Sequence, residues 1–74
     1  MDDRPLHNPR PGDIVEAMVN GQHVVCLVTM VIAENIESIT YDMFTDGRLS
    51  PHRKTSIFCW QEWCRTHNAT VKHN

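Results

Sequence analysis

Both tryptophans of the chain, Trp60 and Trp63, stand three residues apart in one short amphipathic stretch, and a chain of 74 residues has few ways to bury two indoles. At 100° per residue, Ile57, Trp60, Trp63, Cys64 and His67 fall on one side of residues 55–68, and Gln61, Glu62, Arg65 and Thr66 on the other. The period is that of a helix. Ser56 or Thr55 is placed to accept its first free backbone N–H groups, and Asn68 suits its exit, which predicts a helix over 56–67. Such a helix can act as a lid over a small β-structure made by the residues before it.

Length leaves room for one domain, residues 12–74, and a chain this short hides only about 60% of its unfolded surface. Something must staple it: a disulfide, a metal or a partner subunit. Three cysteines cannot form a closed disulfide framework, and on a helix Cys59 and Cys64 point about 140° apart. The ordinary reading is three reduced thiols in a cytoplasmic protein, which leaves association between subunits as the staple. Residues 1–11 hold three of the four prolines and little that can be buried, so they are expected to form a flexible arm without a secretion signal. The uncharged stretch 17–33 is broken by Asn20-Gly21-Gln22-His23 and does not read as a membrane span.

Strand signals fill the middle of the chain. Residues 13–19 and 22–32 flank Asn20-Gly21, a dipeptide suited to a two-residue type I′ turn. The turn sets the register: Val19 faces Gln22, Ala17 faces Val24, Val15 faces Cys26 and Asp13 faces Val28. One face then shows Val15, Ala17, Val19, Val24, Cys26, Val28 and Met30, the expected core. The other shows Ile14, Glu16, Met18, His23, Val25, Leu27 and Thr29. Ile14, Met18, Val25 and Leu27 make that outward face unusually apolar. Either it is an interface, or the sheet curls so that both faces are partly covered.

A turn at Glu34-Asn35 leads into a half-buried strand over 37–45, with Ile39, Tyr41 and Met43 on one side and Ser38, Thr40 and Asp42 on the other. Asp46-Gly47 starts another tight hairpin into a short strand at Arg48-Leu49, which Pro51 is expected to stop. A basic loop, His52-Arg53-Lys54, precedes the helix, and residues 69–73 give a last strand.

The fold class is therefore mainly β with one helix, in the order β-β-β-β-helix-β. With the opening Pro11-Gly12-Asp13-Ile14-Val15, it resembles the small SH3-like antiparallel barrels. The pattern Asp-Gly-x-Leu at 46–49 followed by Ser-Ile-x-x-Trp-x-x-Trp at 56–63 is similar to uncharacterised short bacterial proteins carried on mobile elements. The resemblance covers residues 12–73. It implies a fold, and this architecture hosts many unrelated activities.

Few residues point to chemistry. Cys59, Cys64, His67 and His73 are close in sequence, but Cys-x4-Cys on a helix spreads the sulfurs and no Cys-x2-Cys is present, so no metal is expected. Cys59, in the first helical turn near Arg53 and Lys54, is a candidate thiolate nucleophile; an inert thiol is the commoner case. Three glycines provide no phosphate cradle, and no cofactor motif is found.

Charge is uneven. Residues 1–47 carry eight acidic and two basic side chains, and residues 48–74 carry one acidic and five basic, within a net charge of −2. The split suits a dipolar subunit that pairs with copies of itself. It also gives Arg48, His52, Arg53 and Lys54, with Phe44 or Phe58 as stacking ring, as candidate nucleic-acid contacts on an otherwise acidic chain. The first expectation is a non-enzymatic homo-oligomeric interaction module whose contact is Ile14, Met18, Val25 and Leu27, with an unidentified protein partner and no cofactor. A nucleic-acid-binding accessory protein using loop 48–54 is the second. A small enzyme, using Cys59 or a site between subunits, is the third.

Overall fold

The computed structural model describes residues 8–32 and 37–72. Five strands and one helix follow in the order β1 (Ile14–Val19), β2 (Gln22–Ile32), β3 (Ser38–Thr45), β4 (Arg48–Ser56), α1 (Ile57–Thr66) and β5 (Thr70–Lys72). The strands form one antiparallel sheet, ordered β4-β3-β2-β1-β5. It is open, with β4 and β5 as its two edges, so the coarse mainly-β class holds while the closed barrel is not what this sheet forms. The Glu34-Asn35 turn, residues 1–7 of the expected arm and the last two residues lie outside the described residues.

The turn chemistry fixes the first hairpin. Asn20 (φ 52°) and Gly21 (φ 78°) both occupy the left-handed region that a type I′ turn requires. Val19 then pairs with Gln22, Ala17 with Val24 and Val15 with Cys26, the register that the sequence implies. Past the strand end, the Val28 amide donates to the Asp13 carbonyl at 2.9 Å and the Gly12 amide to the Val28 carbonyl at 2.8 Å. Arg10 to Asp13 close a turn with Pro11 and Gly12 (φ 93°) in the middle, where Pro presets one angle and Gly accepts the other. The Asp13 side chain is buried there and accepts the Arg10 amide at 2.9 Å.

Two bulges separate this sheet from the sequence expectation. Between the Val28–Tyr41 and Met30–Thr40 pairs, β2 has one more residue than β3. Thr29 is the extra one, and its hydroxyl donates to the Thr40 carbonyl at 2.9 Å. One inserted residue reverses which side chains face inward. Met30, expected in the core, is therefore 52% exposed, and Val31 turns in beside the fully buried Ile39. The second bulge sits between Tyr41–Arg53 and Met43–Ser50, where Pro51 and His52 oppose Asp42 alone. His52 has φ 58° and its amide donates to Asp42 Oδ1 at 3.0 Å. Pro51, which lacks an N–H, is accommodated because this is an edge strand at a bulge. The strand expected to stop at Pro51 continues to Ser56, and the expected basic loop is part of β4.

The helix closes one face of the sheet. Ser56 is its N-cap, with Oγ accepting the Cys59 amide at 3.1 Å, and the Ile57 amide ties the start to the Glu37 carbonyl at 3.0 Å. At the other end Asn68 takes φ 51° and donates to the Arg65 carbonyl, while the Ala69 amide bonds the Cys64 carbonyl at 2.9 Å. This pairing is a Schellman motif with asparagine in the left-handed position, and Ala69 packs against the core cluster that holds Cys64, its usual apolar companion. The core consists of Val15, Val24, Cys26, Val28, Ile39, Trp60 and Cys64, with Tyr41, Met43, Ile57, Trp63 and Val71 half-buried around it. Trp60 lies against the Tyr41 ring at 4.9 Å and stacks on Trp63 at 6.1 Å; Trp63 in turn meets His67 at 5.1 Å.

Trp60 is 2% exposed, whereas Trp63 keeps part of its ring at the surface. The two indoles therefore differ in weight. Trp60→Ala should cost about 3–5 kcal/mol, of the order of the whole stability of a small domain. Trp63→Ala should cost about 1–3 kcal/mol and remain folded. Urea unfolding followed by circular dichroism measures both; equal losses would contradict the asymmetric packing.

Candidate interaction surface

Side chains that are paired across antiparallel strands share a face, so the register places every residue of the sheet's outer side. One row runs Leu49, Phe44, Val25, Glu16, Thr70 from β4 to β5. The next runs Asp42, Leu27, Ile14, Lys72 from β3 to β5. Met18 flanks the rows at one end and Met30 at the other. The four residues singled out from the sequence, Ile14, Met18, Val25 and Leu27, thus lie on one face, and the core lies on the opposite one. Ile14, Val25 and Leu27 are half-buried, and Met18 is 59% exposed.

Phe44 and Leu49 belong to the same surface; the sequence offered Phe44 only as a stacking ring for nucleic acid and Leu49 for no contact. Phe44 is half-buried between Val25 and Leu49, and Leu49 is 51% exposed. The signal for both was present. Asp46 (φ 49°) and Gly47 (φ 82°) form a second two-residue turn, which by itself sets Phe44 opposite Leu49. Asp46 also locks the two hairpins together: Oδ1 accepts the His23 amide at 3.0 Å while its own amide donates to the His23 carbonyl at 2.8 Å. Among the described residues the helix is the only element outside the sheet, and its contacts are with the opposite face. The outer apolar surface is continuous across four strands.

Charges ring that surface. Glu16 holds His23 Nε2 at 2.6 Å, both side chains partly exposed. Asp42, Lys54 and Lys72 occupy the margins. The candidate nucleic-acid contacts do not share one face. Arg48 pairs with Thr45 and Arg53 with Tyr41, which directs both toward the helix side of the sheet, whereas Lys54 pairs with Thr40 on the outer side. His52 sits in the bulge. Phe58 projects from the first turn of the helix, 70% exposed. A depression of about 110 Å³ lies between the hairpin turns, lined by Gln22, Thr45, Asp46 and Arg48. Its carboxylate is already engaged with His23.

The thiols fall into two kinds. Cys26 and Cys64 are buried in the core, and Cys59 is exposed on the helix. Burial pushes the Cys26 thiol up to about 12, helped by the neighbouring Cys64 and opposed by the Arg53 guanidinium. Burial alone pushes Cys64 up to about 11. Neither is a nucleophile at neutral pH. Among the described residues no group of three or more His, Cys, Asp or Glu is arranged to hold a metal ion, and His73 lies outside them. No helix among them is long and apolar enough to cross a membrane. No protein-family model, characterised protein or solved structure matches the chain.

Both buried thiols hold their protons more tightly folded than unfolded. Their stabilising contribution is complete below the ordinary thiol value of 9.0 and is lost as pH rises through about 11 to 12. Urea midpoints should therefore fall above pH 9.0, and a Cys26→Val variant should fall less steeply than the parent. An equal slope in both would contradict the burial assigned to Cys26. In the native protein an aromatic disulfide reagent should titrate Cys59 at once, and Cys26 and Cys64 only on unfolding.

Proposed function

We propose that the protein is a non-enzymatic interaction module that associates with copies of itself through the outer face of its sheet. The observation that carries this reading is the continuity of Ile14, Val25, Leu27, Phe44 and Leu49 on a face opposite the core, with Met18 and Met30 beside them. Exposed apolar patches of that extent mark interaction sites. A domain of this size hides a small share of its unfolded surface, so burial against a second copy adds to its stability. The helix has spent its tryptophans on the inner face, so nothing in that element serves the outer one. The element order, with the helix between the fourth and fifth strands, is like that of the SH3-like small barrels although the sheet is open, and that architecture hosts many unrelated activities.

Association rather than catalysis also fits the chemistry available. The two thiols with perturbed protonation are buried and inert, and the cations of β4 are divided between two faces. A nucleic-acid backbone is best tracked by cations gathered on one surface.

Sedimentation velocity tests the reading. The parent protein should sediment as a dimer or larger, and Leu27→Glu and Met18→Glu should each shift it to monomer. Met18 is 59% exposed, so its substitution should leave the circular dichroism spectrum and urea midpoint nearly unchanged. A parent that stays monomeric at high protein concentration would end the proposal.

A further inference from the structure

The row Asp42, Leu27, Ile14, Lys72 is charged at its two ends with opposite sign and apolar in its middle. Such a row is complementary to its own reverse. A two-fold axis laid in the plane of the face, along the strands and midway between β1 and β2, brings each end over the opposite end of a second copy. Leu27 and Ile14 then meet Ile14 and Leu27. Two sheets related in this way keep their strands nearly aligned, the usual geometry of face-to-face sheet packing at about 10 Å.

We propose that a second copy of this chain is the occupant of the outer face, docked about that axis, with Asp42 of each chain paired to Lys72 of the other. This rests on the self-association proposed above and specifies its geometry. The charges on the face are consistent with it. Asp42 accepts the His52 amide through Oδ1, which fixes the carboxylate and leaves Oδ2 for a partner. Lys72 is exposed at the end of β5, and its long side chain spans the corner that sheet twist opens. Glu16, nearer the axis, is already bonded within its own chain to His23 Nε2 at 2.6 Å. Lys54, on the far edge strand, lies beyond the overlap. Like-charge contacts would arise at the margins if the two-fold axis instead ran along the row, across the strands, since Asp42 would then face Asp42 and Lys72 face Lys72.

Distance makes the arrangement testable. Within one chain Asp42 and Lys72 are separated by β2 and β1, three strand spacings or about 14 Å. A zero-length amide between them can therefore form only between chains. Carbodiimide treatment of the full chain should give a covalent dimer whose digest contains the Asp42–Lys72 linked peptide. Lys72→Glu should weaken self-association about 10-fold, and adding Asp42→Asn, which retains the acceptor for the His52 amide, should return most of that loss. A protein that associates but links through other residues, or is indifferent to Lys72→Glu, overturns this geometry and leaves self-association standing. A protein that does not associate removes both.

Discussion

The contact on which the rest depends is that of the Trp60 indole with the inner face of the sheet. The ring lies against Tyr41 and belongs to the same buried cluster as Ile39, Val15 and Val28. The helix is only 10 residues long, a length at which an isolated helix is unstable in water. Its persistence here comes from that ring and from good ends: Ser56 at the start, Asn68 and Ala69 at the finish. In turn the ring needs a sheet whose inner positions are small and branched. Valines at 15, 24 and 28 and the thiol of Cys26 provide that floor. Each side of the contact makes the other possible.

Sealing one face defines the other. Once Trp60, Cys64 and Ile57 cover the inner side, the outer residues have, among the described residues, only one another within a chain. Their partial burial comes from strand neighbours in the plane of the sheet. A soluble monomer would be expected to make that plane polar. Here one row is apolar between Asp42 and Lys72 at its ends, and the other is apolar from Leu49 through Phe44 to Val25 before it reaches Glu16 and Thr70. The physical problem left by the fold and the function proposed for it are the same surface.

Much of this was legible before any coordinates, and what was not has specific causes. Asn20-Gly21 determined the register of the first hairpin because only one turn geometry accepts both residues. The helix was readable because its period, N-cap and exit agreed. Met30 was misplaced because a bulge leaves almost no trace in sequence: Thr29 is an ordinary strand residue, and only its pairing makes it the extra one. Pro51 misled for a related reason. Proline ends a central strand, but at an edge bulge opposite Asp42 it costs no ladder hydrogen bond. On the outer face, four contact residues followed from the first turn. Phe44 and Leu49 required applying the same reasoning to Asp46-Gly47.

The helix seals the inner face, and in the proposed assembly a second copy takes the outer one. Methyl and amide chemical shifts followed on dilution report on both faces at once. Signals of Ile14, Val25, Leu27 and Phe44 should move together along a single dimerisation curve while those of Val15, Val28 and Ile39 hold still. Movement concentrated on Phe58 and the exposed side of the helix, or shifts independent of concentration, would contradict it.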